Sequence, residues 1–174
     1  VYWQDGGQLV PPQDSEIVAE IESLDYDAVN FSAKKEHITY IDKDVDDAFI
    51  EASLKNGSFA ELDKHRDDVT IVFTPLHGTS VTIIPDVLKD AGYKNVYVVE
   101  EQRTPNGNFP TVKSPNPEEP EALKMALELA EEKNADIVIG TDPDCDRLGI
   151  AVRNNEGKLQ LLNGNQTMVV MTDF

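Results

Sequence analysis

A chain of 174 residues, 40% hydrophobic and 28% charged, is about one domain long and has the composition of a globular protein that buries a real core. Its formal net charge of −18 argues against nucleic acid and anionic membrane surfaces as partners. No apolar run reaches transmembrane length and no signal peptide is visible, while the single Cys145 excludes an intramolecular disulfide framework and fits a reducing cytoplasm.

The first 13 residues, with Gly6-Gly7 and Pro11-Pro12, read as a linker or the tail of a preceding domain. Asp14 or Ser15 caps a short helix ending near Leu24, and the signal then weakens from Asp25 to Tyr40. A helix is expected from Lys43 to about Lys55, capped by Asp42, with Val45, Ala48, Phe49 and Ala52 on one apolar face and Gly57 as its stop. Phe59 to Arg66 reads as a further helical turn or two.

A clearer alternation follows. Val69 to Phe73 is a strand, Thr74 to Gly78 a loop, and a helix runs on to Ala91 with Ile84, Val87, Leu88 and Ala91 at helical spacing and Gly92 as its stop. Val96 to Val99 is a second strand, and Glu100 to Ser114 is a long polar loop of the kind that is usually functional or flexible. Asn116, Pro117 and Glu119 read as N-cap, N1 and N3 of a helix reaching about Lys133 and burying Leu123, Ala126, Leu127 and Ala130. Strands at Ile137–Ile139, Leu148–Val152 and Leu159–Leu162 follow, and Asn163-Gly164-Asn165 opens a helix cut off at Phe174. The order predicts an α/β fold: three α/β/α layers around a mainly parallel sheet, plus a terminal β-hairpin strand. The main domain is expected to span 14–165, with 166–174 leading toward a further one.

In such sheets ligands bind beyond the carboxyl ends of the parallel strands. There the loops Thr74–Gly78, Glu100–Ser114 and Asp142–Arg147 are expected to converge. In Asp142-Pro143-Asp144-Cys145-Asp146-Arg147, carboxylates stand at i, i+2 and i+4 between two apolar strands. Fully extended, Asp142 and Asp146 would lie about 13 Å apart. A curled loop gathers them, and a hard divalent cation, Mg2+, relieves the repulsion that results. The opposing interpretation is a solvated acidic turn. An EF-hand does not fit, since its sixth and twelfth positions fall on Arg147 and Arg153. Arg147 either contacts a phosphoryl group or pairs with a neighbouring Asp. Cys145, among carboxylates that favour the thiol, is a spacer. His77 is open between a cleft-facing and a purely structural role. His37 and His65 are taken as surface residues, Arg103 and Lys113 as solvated loop cations, and the acidic residues of Pro117–Lys133 as a solvated helix face.

These segments together resemble the α-D-phosphohexomutases, the phosphoglucomutase/phosphomannomutase superfamily, and specifically an isolated second domain of that architecture. Thr141–Arg147 matches the family's metal loop, Thr74-Pro75-Leu76-His77-Gly78 the loop after the domain's first strand, and Phe109–Val112 with Pro115–Glu118 the segment before its second helix. Tyr2–Gly6 with Pro11-Pro12 resembles the end of the preceding domain, and Asn163–Gln166 the exit toward the third. The resemblance implies a four-domain enzyme that moves phosphate between the 1- and 6-positions of a hexose (or the 1- and 5-positions of a pentose), through a phosphoserine and a bisphosphorylated sugar. It implies Asp142, Asp144 and Asp146 as Mg2+ ligands, Arg147 as the catalytic phosphoryl contact, and a phosphosugar shared with domains this chain lacks. No Ser-His-Asn-Pro stretch of the phosphoserine type is present among the seven serines, so the isolated chain is expected to be inactive as a mutase. Two alternatives stand beside this one: a haloacid-dehalogenase-like phosphatase, and a non-catalytic divalent-cation-binding module.

Overall fold

Apolar runs such as Ile71-Val72-Phe73 and Ile137-Val138-Ile139 form strands in the computed structural model, which describes residues 2–57 and 63–173. β1 (Thr70–Thr74), β2 (Asn95–Val98), β3 (Ile137–Thr141), β4 (Leu148–Arg153) and β5 (Leu159–Leu162) make one sheet in the order β2-β1-β3-β4-β5. β1 pairs in parallel with β2 and β3, whereas β4 and β5 add on in antiparallel fashion. The expected α/β architecture is therefore present as a mixed sheet, with a parallel core extended by a hairpin.

The helices cover this sheet as its connections require. α3 (Ile84–Asp90) links β1 to β2 on one side, and α4 (Lys124–Lys133) carries the chain back past β1 to β3. Crossovers running in opposite directions, both right-handed, put their helices on opposite faces. The side chains agree. Val72, Val138 and Ala151 lie in register across β1, β3 and β4 and join Ala126 and Ala130 of α4 in one buried cluster. Ile71 and Phe73 alternate with Val72, so they point to the other face, and both are buried.

Two expectations need correction. The helix expected from Pro117 begins only at Lys124, and 116–123 is a series of turns. Pro120 explains this: it lacks an N–H, and in a helix its ring would meet the carbonyl of Asn116. Asn116 instead accepts the Glu118 N–H on its side chain at 3.1 Å. In α2 (Asp42–Asn56) the buried residue is Ile50, while Val45 and Phe49 of the expected apolar face stay exposed. The turn expected over Phe59–Arg66 lies partly outside the described residues, and a 3-10 helix occupies Asp63–Asp68. α5 (Gly164–Asp173) closes the described chain.

The chain divides into two compact units, Val1–Ile41 and Asp42–Phe174. The first contains α1 (Gln13–Ser23) and two short 3-10 turns, and none of its described residues is buried. No described helix is long and apolar enough to cross a membrane.

One close contact fastens the 116–123 turns to the sheet. Gly140 and Gly149 face each other across β3 and β4, and together they make a slot for buried Pro117 and Leu123. A Cβ on Gly149 would sit 2.6 Å from the Pro117 carbonyl carbon, with backbone on both sides of the clash. Gly149→Ala should therefore lower unfolding free energy by about 2–3 kcal/mol in urea titration. Gly107→Ala, with nothing within 4 Å, should stay within about 0.5 kcal/mol of the original. Equal stabilities for the two variants would contradict the slot.

Candidate metal centre at the carboxyl ends of the parallel strands

From β1 the chain moves to β2 on one side, and β3 lies on the other, so the direction of winding reverses between β1 and β3. At such a switch point the loops leaving neighbouring strands diverge and open a crevice. Thr74–Gly78 leaves β1 there, and Asp142–Arg147 leaves β3.

The second loop curls around one buried carboxylate. Asp142 is only 1% exposed. Its Oδ1 accepts the backbone N–H groups of Asp146 at 3.1 Å and Arg147 at 3.0 Å, and its Oδ2 accepts Arg147 Nε–H at 2.8 Å. Cys145 completes the curl with a left-handed φ of 63° and donates its N–H to the Asp142 carbonyl at 3.1 Å. Few residues with a side chain adopt that conformation, so the bend is held by the bonds to Asp142. The outcome is the predicted gathering: one carboxylate oxygen from each of Asp142, Asp144 and Asp146 lies within 4.8 Å of the others.

Charge in the loop is distributed unevenly. Burial pushes the Asp142 carboxyl up, but the Arg147 side chain and backbone, with Asp146 and Asp144, more than offset it and hold the group below the ordinary 3.8. Asp146 moves the other way, raised by its hydrogen bond with Asp142 and by the charges of Asp144 and Asp142, against a smaller pull from Arg147. Burial first, then the Asp142 charge, pushes the Cys145 thiol up, which keeps it protonated and unreactive.

Arg147 takes up the ion pair with Asp142, and its Nε also lies 3.7 Å from Asp146 Oδ1. Its side chain remains 53% exposed, so the guanidinium stays within reach of a ligand while anchored to the loop. Arg103 is paired with Glu100 at 2.9 Å, His65 contacts Asp68 at the surface, and Lys113 is exposed.

The β1 loop grips the acidic loop by backbone. Thr79 donates both its N–H, at 2.9 Å, and its hydroxyl, at 3.1 Å, to the carbonyl of Pro143. Gly78 lies so close that a Cβ there would come within 2.6 Å of that oxygen. Beneath them Ser80 and Thr141 share a hydrogen bond of 2.6 Å. His77 does not face the acidic cluster. Only 4% exposed, it binds the Thr104 carbonyl through Nδ1 at 3.1 Å and Thr111 Oγ1 through Nε2 at 2.9 Å. Gly78 lies in the loop expected to converge on the acidic hexapeptide, whereas Thr79 and Ser80 leave no trace in the sequence, because their partners lie more than 60 residues away and no local pattern marks them.

The asymmetry between Asp142 and Asp146 gives a pH dependence with a definite sign. A carboxyl held below its ordinary value stabilises the fold above that value, and the contribution is lost as pH falls through the depressed one. Arg147→Ala removes the main group opposing burial. In chelator-treated protein, its acid-unfolding limb, followed by circular dichroism, should begin at higher pH than in the unsubstituted chain. An unchanged limb would contradict the Asp142–Arg147 lock.

Comparison with known proteins agrees with this geometry. Residues 47–157 match the family model for phosphoglucomutase/phosphomannomutase, alpha/beta/alpha domain II. A probable phosphomannomutase of Haemophilus influenzae is 37% identical over 92% of this chain and 32% of its own length. A phosphoglucomutase of Staphylococcus aureus is 36% identical over the whole chain and, again, 32% of its own length. The crystal structure of a phosphoglucomutase/phosphomannomutase family protein from Burkholderia thailandensis superposes with a TM-score of 0.59 at 22% identity, covering 74% of this chain and 25% of that one. The chain thus spans about a third of the length of the curated relatives it matches, and the haloacid-dehalogenase alternative gives way. Residues 47–157, which carry both the β1 loop and the acidic hexapeptide, are the second domain of the phosphoglucomutase/phosphomannomutase family, to which this chain belongs.

Proposed function

We propose that this chain is the metal-holding domain of a cytoplasmic phosphosugar mutase that moves a phosphoryl group between the 1- and 6-positions of a hexose, through a phosphoserine and a bisphosphorylated intermediate. The observation that carries this is the gathering of three carboxylates beside a half-exposed arginine, at the switch point of a domain of this family.

The donor set fits Mg2+. All its atoms are hard oxygens, and octahedral coordination at about 2.1 Å asks neighbouring ligands to stand about 3 Å apart. Asp144 and Asp146 are exposed, so they can move to close the 4.8 Å cluster, whereas Asp142 is fixed by its three hydrogen bonds. When bound, the cation supplies Lewis acidity and orientation to phosphoryl oxygens. The protein's own work is then threefold. Asp142 shapes the loop, Asp144 and Asp146 offer the mobile ligands, and Arg147 presents its guanidinium to a phosphoryl group while Asp142 holds its stem. On this account the phosphoserine and the groups that recognise the sugar come from other parts of a family-length protein, and the phosphosugar binds between them and this domain.

Titration calorimetry tests the proposal. The chain should bind Mg2+ and Mn2+, and Asp144→Asn should weaken both by about tenfold or more, equivalent to about 1.4 kcal/mol. Binding should also weaken as pH falls toward the raised value of Asp146, because protons then compete for that ligand. The isolated chain should show no interconversion of glucose or mannose phosphates. In a family-length enzyme carrying this domain, Asp144→Asn should lower kcat/KM by about a hundredfold or more. A preference for Ca2+ that ignores Asp144, with full activity in that variant, would favour the non-catalytic module.

A further inference from the structure

A second polar system, outside the acidic loop, reaches it through covalent neighbours. It begins at the end of β1, where Leu76 N–H donates to Thr74 Oγ1 at 3.2 Å. The Thr74 hydroxyl donates to Gln102 Oε1 at 2.6 Å, and Gln102 Nε2–H donates to Thr111 Oγ1 at 3.0 Å. From Thr111 the line passes to His77 Nε2 at 2.9 Å, and from His77 Nδ1 to the Thr104 carbonyl at 3.1 Å. Its carbonyl end fixes one direction: a carbonyl can only accept, so His77 Nδ1 carries a hydrogen and donates to Thr104. Gln102 is fully buried, and each of its side-chain polar atoms has a partner.

This system holds an unusual piece of backbone. Leu76 and His77 both have left-handed φ, 46° and 61°, although both carry large side chains. Consecutive residues in that region persist only where the surroundings over-determine them. Here His77 N–H donates to the Gln102 carbonyl at 2.9 Å, and the His77 carbonyl accepts Asn106 N–H at 3.0 Å. His77 therefore makes four hydrogen bonds into the segment 102–111. The next residues, Gly78 and Thr79, are the ones that grip the Pro143 carbonyl. Pro143 stands between Asp142 and Asp144.

We infer that His77, Gln102 and Thr111 are positioning residues, which fix the β1 loop so that Gly78 and Thr79 set the path of the acidic loop for divalent-cation binding. None of them touches the acidic cluster; they act through Pro143. The inference rests on the metal-holding function proposed above. It assigns the long 100–114 loop a role distinct from substrate contact: Thr111, on its exposed part, carries the last hydroxyl that orients His77.

The test uses the whole chain and Mn2+ alone as probe, with affinity read by electron paramagnetic resonance and the His77 tautomer by 15N NMR. Thr111→Val keeps shape and removes the hydroxyl. It should weaken Mn2+ binding by about fivefold or more, somewhat less than the roughly 10–100-fold cost of changing a direct partner of a metal ligand, and shift the His77 Nε2 resonance. Thr111→Ser should restore both. Should Thr111→Val fail to fold, Thr111→Ala takes its place, with the same expectations. If the unsubstituted chain binds Mn2+ through Asp144 and the hydroxyl-free variant binds it equally well, the positioning role is overturned and the metal function stands. If the unsubstituted chain binds no Mn2+, the metal function itself fails and the inference with it.

Discussion

Asp142 is a charge taken out of water, and much of the site follows from how that charge is satisfied. A buried carboxylate without partners would be protonated or would prevent folding. Here two backbone N–H groups and one guanidinium N–H surround it, all from residues four and five positions ahead. Those bonds can form only if the chain doubles back, and the doubling back brings Asp144 and Asp146 alongside. The clustering of like charges is thus a consequence of satisfying one of them. A second consequence is that Arg147 is anchored at Nε, so its reach toward solvent is preset.

The sheet supplies the platform. Because β1 and β3 are parallel neighbours, Thr74 and Gly140 lie in register and the loops that follow emerge side by side. Contact between them is backbone to backbone, through Gly78 and Thr79 on Pro143, which leaves less play than a meeting of flexible side chains would. On the far side of β3, the glycine pair Gly140 and Gly149 admits Pro117 and ties the segment before α4 to the same region. The acidic loop is held between these two close approaches. A ligand site on such a frame has little reorganisation left to do when a cation arrives.

What could be read from the sequence divides along physical lines. β-branched runs such as Ile71-Val72-Phe73 and the i, i+2, i+4 carboxylates are local signals, and both survive into the structure. The start of α4 is not legible locally because Asn116, Pro117 and Glu119 mimic a helix entry, while Pro120 vetoes it one residue later. The buried side of α2 is not legible either, because helical period alone does not say which residue meets the core, and that residue is Ile50. Gln102 gave no signal at all: a buried amide within Glu100-Glu101-Gln102-Arg103 looks like any solvated polar run. Its partners Thr74 and His77, at the end of β1, and Thr111, beyond it in the long loop, come from separate stretches of the chain, and only the fold assembles them.

With a net charge of −18, this chain offers many places where a divalent cation can loosely collect, including the acidic first turn of α2. Paramagnetic broadening of backbone amide resonances by substoichiometric Mn2+ therefore bears on the central claim most directly. The account predicts broadening centred on residues 142–147 and spreading first to Gly78 and Thr79. Broadening centred on Asp42–Asp47, or spread evenly over the acidic surface, would contradict it.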